Sequence, residues 1–311
     1  MKIIAGEAQR PASPVALAIG NFDGVHRGHQ ELVRVARARG AAVGAPGGVL
    51  TFTPHPARVF APALAPPLIV SLERRLELLG IAGAELAIVE AFTPALAAVE
   101  PEAFVREVLV DRRGAREVVV GYDFTFGRDR RGTPALLREL GASLGLGVTI
   151  VPPVTIDGLV CSSTKVREFV LEGRVEGAAL LLGRPVELTG PVIRGAGRGR
   201  GIGVPTANVA PEGELLPRVG IYAARALVLD AEGAIASTHR AALSVGSNPT
   251  FVAGGAVTVE AHLLDFAGDL YDRRVRLEVL HRLRDERRFE SVAALVAQIA
   301  ADVAEVRGRL P

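Results

Sequence analysis

Cysteine is almost absent from this 311-residue chain. Cys161 stands alone, so no intrachain disulfide and no thiolate metal cluster can form. A lone thiol suits a reducing compartment, and the sequence predicts a cytoplasmic protein. Lysine is scarce too: Lys2 and Lys165 are the only two, and nearly all positive charge is arginine, which reads as a GC-rich coding bias more than as a binding design. Acidic residues almost balance the basic ones, for a formal net charge of +2 at a sequence pI near 9.0. The near-balance argues against a polybasic nucleic-acid tail and leaves room for local basic patches. No charge-free apolar run approaches the ~20 residues of a membrane span. Residues 1–7 lack the apolar stretch of a signal peptide, so no export leader is expected. Internal repeats and low-complexity linkers are missing as well.

What remains is ordinary globular composition, 49% hydrophobic and 23% charged, which excludes wholesale disorder. At about 150 residues per domain the length predicts two domains. In the first half, strand-like runs at 15–19, 49–52, 86–89, 118–120 and 148–151 alternate with helical patterns at 31–39, 72–79, from Pro101, and 134–140. Such alternation predicts a parallel, doubly wound sheet. Two short helices, 165–171 and 175–182, lead to a change of pattern near Gly183. Beyond it the chain reads as all-β. Strands are expected at 221–229, 257–264 and 274–279, with turns at 230–233 and at Asn248-Pro249, which predicts an antiparallel sheet or small barrel. Ser291 caps a last helix whose apolar face is Val292, Leu295, Val296, Ile299, Val303 and Val306.

Residues 20–30 (GNFDGVHRGHQ) lie between a predicted strand and a predicted helix. Ligands bind there in parallel sheets, and a helix N-terminus offers free N–H groups to phosphate. Gly24 and Gly28 permit close backbone approach. His26 and His29 can face one phosphate chain and donate to charge that develops on it; a metal site would need a third ligand, and none follows at recognisable spacing. In the second half, residues 194–203 (RGAGRGRGIG) match neither a dinucleotide fingerprint nor a Walker A loop. An arginine-rich RNA contact and a plain solvated loop are the bland alternatives. Glu260 sits in an apolar strand, where an unpaired carboxylate is costly; a salt bridge to an arginine is one explanation.

The 20–30 segment resembles the HxGH signature of the nucleotidyltransferase superfamily, and more narrowly the adenylyltransferase half of bacterial bifunctional riboflavin kinase/FAD synthetases. Residues 51–56 (TFTPHP), 120–127 (VGYDFTFG) and 162–167 (SSTKVR) agree with it. So do 204–208 (VPTAN), 220–222, 245–251, 259–266 and 269–271, which are similar to the riboflavin kinase module; Val204 stands where that family usually has Phe. The resemblance implies an α/β plus β chain. A Rossmann-like HxGH nucleotidyltransferase domain would span 1–184, and a small antiparallel β-barrel kinase with a C-terminal helix 185–311. It implies a transferase that converts riboflavin to FMN and FMN to FAD, with ATP as second substrate and Mg²⁺ as cofactor. One silent module, or a flavin-binding protein without turnover, is the competing reading. Partners would be flavins and ATP, without nucleic acid or membrane, and homo-oligomerisation stays open.

The resemblance also implies residue roles. His26 and His29 would be catalytic in adenylylation, with ATP phosphates near Gly20, Phe22, Asp23, Gly24 and Gly28. Ser163 and Thr164 would hold phosphate with Arg167, although either hydroxyl can instead be a helix cap. Asp123, Phe124 and Phe126 would meet the flavin, although alternating Phe residues are also ordinary core. His55 is equally a structural histidine or a substrate contact. In the kinase module Gly197, Arg198, Gly199, Gly203 and Pro205 would cover ATP phosphates. Thr206 and Asn208, hard oxygen donors, would hold Mg²⁺. Glu260 would be the general base for the ribityl hydroxyl, and His262, two residues on, receives no catalytic role.

Overall fold

The computed structural model describes residues 1–6, 10–195, 201, 203–213, 215–247 and 257–310. Gly197, Arg198 and Gly199 of the glycine-arginine loop, and the Asn248-Pro249 turn, lie outside the described residues. Spatially the chain forms two compact units, Met1–Pro67 with Leu72–Ser162, and Leu68–Ser71 with Ser163–Pro311.

The first unit is built on a six-stranded parallel sheet. Its strands are β1 (Lys2–Ala5), β2 (Val15–Ile19), β3 (Gly47–Thr53), β4 (Leu86–Ala91), β5 (Ala115–Gly121) and β6 (Gly147–Val151), in the order β1-β4-β3-β2-β5-β6. β2 is buried at all five positions, as a strand covered on both faces must be, which is why it reads as an unbroken apolar run. α1 (Arg27–Ala42) packs on β2, β3 and β5. The other helices are α2 (Pro56–Phe60), α3 (Leu72–Ile81), α4 (Pro94–Ala97), α5 (Pro101–Ala103) and α6 (Pro134–Leu144). The helix expected from Pro101 continues as a π-helical segment, Phe104–Arg112. It places Phe104, Val105, Val108 and Leu109 in one cluster with Leu17, Ile19, Ile88 and Val120. Each such side chain contributes roughly 1.5–3 kcal/mol by leaving water. From β2 the chain winds one way through β3 and β4, then returns to the other side for β5 and β6. The winding reverses between β2 and β5, the crevice where open α/β sheets bind ligands.

A two-stranded ribbon, β7 (Thr155–Ile156) with β8 (Leu159–Val160), precedes the second unit. That unit begins with α7 (Ser163–Leu171) and α8 (Val175–Leu182), which ends on a left-handed Gly183. Six strands then close an antiparallel barrel: β9 (Val186–Ile193), β10 (Ala207–Val209), β11 (Gly220–Leu229), β12 (Ile235–Ser247), β13 (Val257–Leu263) and β14 (Arg274–Arg284), in the order β10-β13-β12-β11-β14-β9. Closure leaves no edge strand within the barrel. On β13, Val259, Ala261 and Leu263 are buried while Glu260 and His262 between them stay half-buried.

α9 (Val292–Arg309) is capped by Ser291 Oγ, which accepts the Ala294 N–H at 3.2 Å. Its C-terminal half seals Val306 against Ala223 and Leu264. The N-terminal half departs from the expected apolar face. Val292 is 62% exposed, and Leu295 and Ile299 are only half-buried. The reason is that this half roofs a cavity instead of closing on core, as the site geometry makes clear.

Candidate active sites

Two places collect chemistry-bearing side chains. The first lies at the switch between β2 and β5. The chain leaves β2 through Gly20 and turns with positive φ at Phe22 (52°), Gly24 (80°) and Val25 (43°) before α1 starts. His26 caps that helix: its Nδ1 accepts the His29 N–H at 3.3 Å. The two imidazoles stack with centroids 3.6 Å apart, and Phe22 meets His29 edge-on at 5.2 Å. Asp23 and His26 are buried beneath this turn. Gly28 leaves the room the stack needs, since a Cβ there would stand 3.0 Å from the His26 ring. No acidic residue occupies the first turn of α1, so the positive end of its dipole stays available to an anion.

A cavity of about 270 Å³ opens beside this turn, lined by Gly20 and Asn21 after β2 and by residues 123–127 after β5. Asp123, Phe124 and Phe126 therefore come together with the start of the histidine segment. Phe124 and Phe126 stack 5.6 Å apart. Phe126 belongs to the buried core and also lines the cavity. Phe60, Phe92 and Phe104 complete an aromatic wall that the sequence reading missed, because they arrive from three separate elements. His55 caps α2, its Nδ1 accepting the Ala57 N–H at 3.2 Å.

Arg75 was missed as well. Only 1% exposed, it donates to the Asn21 carbonyl at 2.7 Å and lies 3.4 Å from Thr51 Oγ1. Burial pulls its pKa down, while the nearby Asp23 charge opposes that shift. The signal was there to read: Arg75 falls at helical spacing with buried Leu78 and Leu79, a charge on an apolar face. Ser163, Thr164 and Arg167 stand in the first turns of α7, which clusters with the second unit. Cys161 is buried, and desolvation raises its thiol pKa.

The second place is the wall between β10 and β13. Asn208 pairs in register with Glu260. Just before the strand, the Thr206 hydroxyl donates to Glu260 Oε2 at 3.2 Å. Among the described residues no arginine or lysine forms an ion pair with Glu260, and its partner there is the Thr206 hydroxyl. Pro205 is exposed, as is Gly203, which turns with φ 77°. A Cβ at Gly195 would strike the Asn208 amide at 2.2 Å, so that glycine is what makes room for the amide.

Two cavities meet at this wall. One, about 310 Å³, is lined by Glu260, His262, Arg284, Leu295, Ile299 and Asp302, so α9 roofs it. The other, about 420 Å³, is lined by Pro205, Ala261, Phe266, Asp269 and Tyr271. Thr206 lines both. Arg284 binds Asp302 through two contacts of 2.9 and 2.6 Å, which ties α9 to β14 beside the first cavity. Among the described residues no group of three His, Cys, Asp or Glu side chains is placed to hold a metal. The oxygens of Thr206 and Asn208 suit instead a hard cation that shares its coordination with phosphate and water.

An α/β unit with a histidine-bearing turn at its switch point, followed by a closed barrel with a carboxylate–threonine pair between two cavities, defines a two-module phosphate-transferring enzyme. Comparisons agree. A family model for FAD synthetase matches residues 8–165 and one for riboflavin kinase matches residues 182–310. The chain is 39% identical over 289 residues to the bifunctional riboflavin kinase/FMN adenylyltransferase of Pseudomonas fluorescens, covering 93% of this chain and 91% of that one. It is 35% identical to the protein of the same name from Escherichia coli K12, covering 97% and 96%. A crystal structure titled macrolide-efflux protein, from Streptococcus pneumoniae, superposes with TM-score 0.87 at 32% identity over 99% of each chain. The chain belongs to the bifunctional riboflavin kinase/FMN adenylyltransferase family. Its α/β and barrel architecture is the one that its sequence motifs implied.

Proposed function

We propose that the enzyme makes FMN and then FAD with two separate residue sets. The carrying observation is the Thr206–Glu260 contact at 3.2 Å, on the wall where two cavities meet. Riboflavin in the cavity under α9 would present its ribityl hydroxyl to Glu260, with ATP phosphates on the other side of Thr206. Glu260 takes the hydroxyl proton as the oxygen attacks the γ-phosphorus, and ADP leaves. Thr206 and Asn208 would hold Mg²⁺, which supplies charge neutralisation across the phosphates. The glycine-arginine loop, with Gly197, Arg198, Gly199, Gly203 and Pro205, is proposed to cover those phosphates.

In the first unit, a phosphate oxygen of FMN attacks the α-phosphorus of a second ATP and pyrophosphate leaves. His26 and His29 stabilise the charge that develops. Gly20, Phe22, Asp23, Gly24 and Gly28 shape the turn that receives the phosphates, and Asp123, Phe124 and Phe126 line the cavity that suits an isoalloxazine ring. Ser163, Thr164 and Arg167 are assigned to phosphate on the resemblance of their motif. We place the functional boundary at 184/185, after the Gly183 cap. Packing groups α7 and α8 with the barrel, the FAD synthetase match ends at residue 165 and the riboflavin kinase match begins at 182; the 184/185 boundary rests on the change of sequence pattern near Gly183. Among the described residues no helix is long and apolar enough to cross a membrane. The lone cysteine fits the reducing cytoplasm, where we place the enzyme.

Chromatography of products after mixing the protein with riboflavin, ATP and Mg²⁺ tests this reading. FMN first and FAD later supports both sites. FMN without FAD leaves a kinase with a silent first unit, and no product from folded protein returns the chain to flavin binding alone.

A further inference from the structure

We propose that His262 is a positioning residue for riboflavin phosphorylation: it grips the Pro205 carbonyl and thereby sets the Thr206 hydroxyl against the Glu260 carboxylate. The inference rests on Glu260 being the base. His262 Nδ1 lies 2.8 Å from the Pro205 carbonyl oxygen, across 57 residues of sequence. A carbonyl only accepts, so Nδ1 carries the proton. Proline has no N–H, and the carbonyl is therefore the one backbone handle by which Pro205 can be held. The strand ladder does not reach this point, because β10 begins at Ala207. Two side-chain bonds instead fix the residues just before it, one from His262 to Pro205 and one between Thr206 and Glu260. Both originate on one face of β13, where residues two apart point the same way.

The place matters because Thr206 lines both cavities while Glu260 and His262 line the one beneath α9. A hydroxyl that marks the meeting point of two substrates must be held closely, since misplacement by about 1 Å can cost about a hundredfold in rate. With its Nδ1–H given to a backbone carbonyl, His262 acts through Thr206 and not on the transferred proton.

The test uses the full chain and two assays, FMN formation from riboflavin and FAD formation from supplied FMN. His262→Phe keeps a ring without the donor. Its kcat for FMN formation should fall roughly ten- to a hundredfold, with KM for riboflavin little changed and FAD formation intact. His262→Asn, whose amide nitrogen sits near the Nδ1 position, should recover most of the loss. Added to Thr206→Ala, His262→Phe should cost nothing further, because both act through one hydroxyl. Wild-type kcat in His262→Phe, failure of Asn to rescue, or losses that multiply in the double variant would each overturn the proposal. If Phe also removes FAD formation, His262→Gln replaces it; its longer amide reaches the Nε2 position, and full activity there counts against the proposal. Retained turnover in a parallel Glu260→Gln protein strikes the base assignment itself.

Discussion

Phe22 and Val25 hold left-handed backbone conformations (φ 52° and 43°), each costing about 1–3 kcal/mol for a non-glycine residue. The turn they form is held from beneath by Arg75, which donates to Asn21 O. That strain delivers His26 and His29 as a stacked pair at the start of α1. His29→Ala should therefore slow FAD formation by about a hundredfold or more while FMN formation persists; loss of both activities in a folded protein would sink the division of labour. Glu260→Gln should do the reverse, removing FMN formation while added FMN still becomes FAD. At Cys161 burial raises the thiol pKa. The native protein should thus alkylate slowly near neutral pH and rapidly once unfolded, since the thiolate is the nucleophile.

At the scale of elements, α9 shows how one helix serves stability and binding in different halves. Val306 seals core, whereas Leu295 and Ile299 face the 310 Å³ cavity. The Arg284–Asp302 pair fastens the helix between the two halves. Asp302→Ala breaks charge-assisted hydrogen bonds worth roughly 1–3 kcal/mol. It should lower the melting temperature of the second unit by several degrees and raise KM for riboflavin; an unchanged KM would show that the cavity roof needs no such anchor. Guanidinium hydrogen bonds hold Asp265, beside Arg307, and Asp285, beside Arg282, below the usual carboxylate range. Their stabilisation is complete above the unfolded carboxylate pKa and fades as pH falls through the lowered folded value. Melting temperature should thus drop on acidification from about pH 5 to about pH 3, and less steeply in Arg307→Ala.

For the whole molecule, two chemistries that attack different phosphorus atoms are carried by different motif sets, one on a parallel sheet and one on a barrel. If the two act independently through free FMN, mixing Glu260→Gln protein with His29→Ala protein should restore FAD synthesis from riboflavin. Each variant supplies the step the other lacks, and liquid chromatography reads the product. A mixture that makes FMN but no FAD would mean that FMN does not pass between molecules. Chelating Mg²⁺ should halt FMN formation, and adding it back should restore turnover.

The amino-acid sequence alone determined the alternation of β2 to β6 with helices in the first unit, but not the edge strand β1, which pairs with β4. Buried parallel strands such as 15–19 carry an unambiguous apolar run, and Thr133-Pro134 marks a helix start by its cap chemistry. It also carried the histidine turn and the VPTAN segment, because their residues are contiguous and their spacing alone is informative. Only the tertiary structure decided what depends on residues far apart in the chain. β12 alternates weakly, exposed toward its start and buried toward its end, so its length follows from its neighbours β11 and β13. The aromatic wall of Phe60, Phe92 and Phe104, the buried Arg75 and the His262–Pro205 bond have no local pattern. Likewise Val292 reads as helix core by period yet faces solvent. Periodicity reports which face of an element is apolar, and only packing decides whether that face meets core, cavity or water.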